Sequence, residues 1–116
     1  MSAGSGAAIL PTIAARGNGV VAVLYLQLDA GARLPGRYRI AVSVDGANHF
    51  RARAVSPTFA VTDAPRLTAT PLVPGGYFLG DYMGLAPIGG RSFGVLFVVA
   101  RRQAGNPTDV FYASIR

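Results

Sequence analysis

The sequence predicts an all-β protein, and three observations support that class. Hydrophobic residues make up 51% of the 116 residues and charged residues only 14%, which is typical of a folded chain with a buried core. The apolar residues form short runs separated by Gly and Pro, as in strands joined by turns. This pattern occurs twice, with an offset of 71 residues from Gly19 to Gly90 and of 72 from Ala41 to Ala113, which indicates an approximate internal duplication.

The first copy predicts four strands. A strand over 10–15 ends at the Gly17-Asn18-Gly19 turn, and a second strand follows over 20–28. The nearly continuous apolar character of 20–28 predicts a strand that is covered on both faces. Apolar and polar residues alternate over 38–43, as in a half-exposed strand. Residues 51–55 predict an outer fourth strand.

The second copy follows a connector over 56–75 that contains four prolines, Pro57, Pro65, Pro71 and Pro74. Proline lacks an amide N–H, so the connector should contain neither a helix nor a central strand. Three further strands are predicted over 77–87, 92–100 and 110–115, with a turn at Gly89-Gly90. Because this copy stops after three strands, its last strand should keep an exposed edge.

The predicted organisation therefore has four parts: a flexible N-terminus over 1–9, a first unit over 10–55, the connector over 56–75 and an incomplete second unit over 76–116. No apolar run approaches the roughly 18 residues of a membrane helix, which predicts no membrane contact. Residues 1–15 lack the basic segment before an apolar core that marks a secretory signal, and the sequence leaves the localisation open.

Charge and side-chain chemistry restrict the possible functions. All eleven basic residues are Arg, all five acidic residues are Asp, and the net charge is +6. The arginines are spread along the chain, so a solvated surface is favoured over nucleic-acid binding. With no Cys and a single histidine, His49, the sequence predicts no metal site and no cofactor. The glycines at 17 and 19 precede a strand, so they form a turn and not a phosphate-binding loop.

Two segments resemble a known family. Residues Gly80-Asp81-Tyr82-Met83-Gly84-Leu85-Ala86, followed by the Gly89-Gly90 turn and the closing Asp109-Val110-Phe111-Tyr112-Ala113, resemble the final blade of sialidase-like (BNR/Asp-box) β-propellers. The segment Ser43-Val44-Asp45-Gly46-Ala47-Asn48-His49-Phe50 resembles a degenerate Asp-box, with Ser43, Asp45 and Phe50 at the expected positions. The resemblance covers about 10–115 and implies about two antiparallel blades of a six-bladed propeller. Further blades of a longer chain, or further copies of this one, would complete the ring.

The resemblance also implies a function. It indicates a carbohydrate-directed piece, either the C-terminal part of a sialidase-like glycosidase or an inactive glycan-binding relative. The alternative is a non-enzymatic structural or protein-interaction module. The chain has no Glu, so a complete sialidase site is not expected and no catalytic residue is predicted.

Site residues follow from the same resemblance. Asp81 and Tyr82 are the candidate ligand-binding residues, because the first strand of a blade lines the channel where propeller ligands bind; the alternative is a structural role. In the Asp-box, Asp45 should accept backbone amide bonds and Phe50 should pack into the blade. Arg33-Leu34-Pro35 resembles a substrate-binding Arg motif of the family, but a solvated loop arginine is the favoured interpretation of Arg33.

Overall fold

Two antiparallel β-sheets form the described part of the chain, which in this computed structural model covers residues 6–64, 83–90, 92–101 and 108–116. The strands are β1 (Ala7–Arg16), β2 (Val20–Leu28), β3 (Pro35–Ser43), β4 (Arg51–Ala54), β5 (Phe59–Ala60), β6 (Gly84–Ile88), β7 (Ser92–Ala100) and β8 (Thr108–Ile115). A single 3₁₀ turn, η1 (Val61–Asp63), is the only helical element in these ranges, where no helix is therefore long enough to span a membrane. The all-β class is confirmed.

The two sheets follow the same path. The first has the order β1-β2-β3-β4 and the second the order β6-β7-β8, with antiparallel pairing throughout. The first sheet has one more strand than predicted, because β5 pairs with residues 35–36 of β3 while β4 pairs with residues 39–42. Among the described residues, the sheets close into neither a barrel nor a ring.

Some element boundaries differ from the predicted ones. β1 begins at Ala7, so residues 7–9 belong to a strand that contains a bulge, with Leu10 at a φ of 55°. Within the connector, β5 and η1 form because the apolar side chains of Phe59 and Val61 enter the core. Of the strand predicted over 77–87, the structure describes residues 83–87, where β6 begins at Gly84, and residues 65–82 lie outside the described ranges.

β2 is covered on both faces, as the sequence predicts. Ala22, Leu24 and Leu26 are buried in the core that lies between the two sheets. On the opposite face, Val23 and Tyr25 form a smaller cluster with Ala41, against which Phe50 packs. This double coverage explains why almost every residue of β2 is apolar.

The two sheets share one core, centred on Tyr38 of β3. Its ring lies 5.0 Å from the ring of Phe97 on β7 and 5.8 Å from that of Phe59 on β5, measured between centroids. Its hydroxyl donates a 2.6 Å hydrogen bond to the carbonyl of Val98, which ties the first sheet to the second. Burial raises the pKa of Tyr38 to about 12. The inner face of each sheet is therefore covered by the other sheet.

Candidate functional site

The pair of sheets has two different sides. On one side, β1 of the first sheet lies against β6 of the second. On the other side, which we call the open side, the outermost strands are β4 and β8. The register pairs Arg53 with Ile40 and Arg51 with Val42, so both arginines share the face of β3 that carries core residues. The margin of the core at β4 is therefore charged rather than apolar.

A cleft of about 460 Å³ lies at the open side between the two sheets, and we call it the open-side cleft. Its floor is apolar and largely aromatic, formed by Val55, Phe59, Phe97, Val99, Phe111 and Ala113. Thr58, Arg101 and Tyr112 stand at its rim. An apolar cleft with a few polar groups at its rim is the usual form of a ligand-binding site in a protein.

Arginines lie at both ends of this cleft. At one end, the guanidinium of Arg101 is 4.9 Å from the centroid of the Phe111 ring and 3.2 Å from the carboxylate of Asp109. Further along β4 and β8, beyond Val55 and Ala113, a separate depression is lined by Arg51, Arg53 and Arg116, and Arg53 Nη2 donates a 2.8 Å hydrogen bond to the Arg116 carbonyl. Along the length of β8, arginines therefore lie at both ends of the apolar floor.

Tyr112 presents an exposed aromatic ring on the outer face of the second sheet. The residue is 60% exposed. A Cβ atom built on Gly94 of the neighbouring strand would lie 3.1 Å from both Cε2 and Oη of Tyr112. The phenol end of the ring therefore lies close over the bare backbone of Gly94. The neighbouring side chains of Leu96 and Val110 on this face are also exposed.

The Asp45 loop is held by its own hydrogen bonds. Asp45 Oδ1 accepts bonds from the His49 amide at 3.0 Å and the Ser43 hydroxyl at 2.8 Å, while His49 Nδ1 lies 2.7 Å from Asp45 Oδ2. These contacts, that of the His49 ring first, lower the pKa of Asp45 from 3.8 to about 2. The Gly46 amide also donates a 2.9 Å bond to the Gly19 carbonyl, which joins this loop to the β1–β2 turn. These hydrogen bonds stabilise the turn between β3 and β4.

Asp81, Tyr82 and Arg33 are the other residues that the sequence singles out, and the structure describes Arg33. Asp81 and Tyr82 lie outside the described residues. Arg33 forms a 2.9 Å ion pair with Asp63, so its guanidinium is engaged by η1. Within the described ranges, no group of three or more His, Cys, Asp or Glu residues could hold a metal ion.

Arg16 marks a second, more open depression between the β1–β2 and β6–β7 turns. Its guanidinium lies 4.8 Å from the centroid of the Phe93 ring. Its Nε and Nη1 atoms are buried and have no hydrogen-bond partner. The attraction between a guanidinium and an aromatic face stabilises the buried charge. We therefore interpret Arg16 as a structural residue that packs against Phe93 beside the turn.

Comparisons with protein-family models, with curated proteins and with solved structures give no match for this chain. The open-side cleft is the candidate site that the fold itself presents. The sequence missed this site because its residues come from β4, the connector, β7 and β8, which only the tertiary fold brings together.

Proposed function

We propose that this chain is a non-enzymatic interaction module that binds its partner in the open-side cleft. The observation that supports this function is the apolar floor flanked by arginines at both ends. Nearby groups favour binding over catalysis. Among the described residues at the cleft, Arg101 holds a carboxylate, that of Asp109, in an ion pair. Most glycoside hydrolases use two carboxyl groups that flank the scissile bond.

An anionic apolar dye, anilinonaphthalene sulfonate, tests this proposal. We expect saturable fluorescence enhancement with about one site per chain, because the naphthalene fits an apolar cleft and the sulfonate suits an arginine rim. Thr58→Trp places a large ring at the rim and should abolish the enhancement. Ala15→Trp, on an exposed position of β1, is the matched control and should bind dye normally. Equal dye binding by both variants would contradict the proposal.

A glycan is the second candidate ligand, and the exposed ring of Tyr112 favours it. A ring that lies close over Gly94 leaves its other face available to the apolar face of a sugar. The resemblance to sialidase-like propellers gives sialylated oligosaccharides as the first compounds to try. In an NMR titration with sialyllactose, we expect shifts at Leu96, Val110 and Tyr112, retained in Tyr112→Phe and lost in Tyr112→Ala. Shifts that persist in Tyr112→Ala would contradict this candidate.

The finer proposal for the fold is that the two sheets are two blades of a propeller completed by further blades or further copies. The exposed apolar side chains of Leu96, Val110 and Tyr112 on the outer face of the second sheet support it. Light scattering on the purified chain tests it. A trimer would agree with a closed ring of six blades, and a stable, well-folded monomer would contradict the need for further blades.

A further inference from the structure

The internal duplication identifies β8 as the counterpart of β3. Each is the third strand of a meander, and each pairs through one edge with the preceding strand. The other edge of β3 is covered by β4 and β5. No strand in the described ranges pairs with the corresponding edge of β8. The second sheet therefore repeats the first three strands of the first sheet. No described strand occupies the place beside β8 that β4 and β5 occupy beside β3.

β8 also lacks the features that protect the other sheet edges from pairing. β1 contains a bulge that includes Pro11, and β4 is short and directs Arg51 and Arg53 toward the core face. β6 is only five residues long and contains Pro87. Bulges, inward charges, prolines and short length are the usual devices against edge pairing. β8 is eight residues long, without proline or a register shift, and Asp109 near its start is its only charged residue.

The apolar floor of the cleft continues beside this edge. Phe111, Ala113 and Ile115 point toward the first sheet, and all three remain half-exposed. A strand added beside β8 would place every second side chain over this floor. The same strand would cover the margin of the core that the described residues leave accessible.

We propose that β8 accepts an extended segment of a partner polypeptide as an added antiparallel strand. The segment has apolar residues at alternate positions in its middle and acidic residues toward both ends. Backbone hydrogen bonds to β8 supply affinity, and the cleft selects the side chains, as in other cases of strand addition. This inference rests on the proposed interaction function and specifies the partner of the same cleft.

Charge decides between this partner and a second copy of the chain. Arg101 lies at one end of the cleft, and Arg51, Arg53 and Arg116 lie at the other. A second copy would bring another set of these arginines, and another net charge of +6, against the first. An acidic partner is attracted by the same groups. The eight residues of β8 span about 27 Å, which sets the length of the paired segment.

A synthetic peptide of about ten residues tests the inference. Its middle alternates Val and Thr, and it has two Glu residues at each end. A second peptide replaces every Glu with Lys. Two further peptides carry N-methyl groups on one or the other set of alternate amides, which removes the donors from one edge of the strand only. Binding of the labelled peptides is followed by fluorescence anisotropy.

We expect the Glu peptide to bind at least about tenfold more tightly than the Lys peptide. One N-methylated peptide should lose binding and the other should retain it, because an added strand uses only one of its edges. Arg51→Gln should weaken binding several-fold. Arg37→Gln removes the same charge from a strand position on the opposite face of the first sheet, and it should bind normally.

Three outcomes would overturn the inference alone, and a fourth would overturn the proposed function with it. Equal binding by both N-methylated peptides would show a side-chain contact without strand addition, while the proposed function would stand. Dye binding without binding of any peptide would assign the cleft to a small apolar anion. A homodimer that the Glu peptide does not dissociate would assign the edge of β8 to a second copy. If neither dye nor peptide binds, the proposed function fails as well.

Discussion

An arginine stacks on a phenylalanine at both sides of the pair of sheets, but the surroundings of the two stacks differ. Arg16 stacks on Phe93 at 4.8 Å, and Arg101 stacks on Phe111 at 4.9 Å. Phe93 is only 2% exposed and two nitrogens of Arg16 are buried. Phe111 is half-exposed, and the side chain of Arg101 is 46% exposed beside Asp109. The stacking distance is alike, but the neighbouring strands enclose one pair and leave the other at a cleft.

This difference follows from how each sheet ends. β1 and β6 lie against each other, so their side chains cover one margin of the shared core. At the other margin, β4 contributes Arg51 and Arg53 where apolar side chains would have sealed the core. Among the described residues, the core is therefore covered on the side of β1 and β6 and remains accessible on the side of β4 and β8.

The largest expected effect compares the two phenylalanines. Phe93→Ala should lower the free energy of unfolding by about 3–5 kcal/mol, because it removes an enclosed ring from the core. Phe111→Ala should cost about half as much, because solvent already reaches the side chain. Urea denaturation of both variants measures the difference. Equal losses would mean that the open side is as well packed as the side of β1 and β6.

Phe50→Ala tests the cluster on the outer face of the first sheet. Phe50 is half-buried against Val23, Tyr25 and Ala41. Its truncation should cost about 1–3 kcal/mol, less than an enclosed ring, and should leave dye binding at the open side unchanged. Chemical denaturation and the dye titration check both statements. A fully stable variant would contradict the packing of this loop.

Tyr38→Phe should cost about 1–2 kcal/mol, because it leaves the Val98 carbonyl without its partner in the core. The folded-state pKa of Tyr38 is raised from 10.0 to about 12, so the protonated form favours folding. This contribution is fully present below pH 10.0 and is lost as the pH rises toward about 12.

The variant should therefore show a weaker alkaline loss of stability than the parent chain in denaturation at a series of pH values. Tyr112→Phe is the control, because it removes a hydroxyl from an exposed ring, and it should leave the stability at neutral pH unchanged. An identical alkaline profile for Tyr38→Phe and the parent chain would contradict the buried bond between the sheets.

The smallest effect concerns Asp45. Its pKa is lowered from 3.8 to about 2, so its carboxylate form favours folding. That contribution is present above pH 3.8 and is lost as the pH falls toward about 2. Asp45→Asn should flatten the acid part of the stability profile slightly, because the group is fully exposed and screened by solvent. A steeper acid profile in the variant would count against these hydrogen bonds.

The sequence predicted the elements whose signal is local. The continuous apolar run of β2 indicated a strand covered on both faces, and the turn over 17–19 has positive φ angles at Asn18 and Gly19. Positive φ is the backbone conformation that Asn and Gly tolerate best. The Gly-Gly turn before β7 was equally local.

The elements that depend on tertiary contacts could not be predicted. Phe59 and Val61 lie among prolines, and only the core between the sheets explains their strand and turn. Likewise, Arg and Ala alternate along β4, and the sequence does not show which of the two faces the core. The pairing of Arg53 with Ile40 shows that the arginines lie on the core face. The open-side cleft exists because of this register.

Solvent access to the two stacked rings tests the account most directly. A soluble nitroxide added to the protein broadens the NMR signals of protons that it can approach. With both rings labelled and assigned, we expect strong broadening of Phe111 and little broadening of Phe93, because only the first borders the open-side cleft. Equal broadening of the two rings, or a Phe93 signal more affected than that of Phe111, would contradict one enclosed side and one open side.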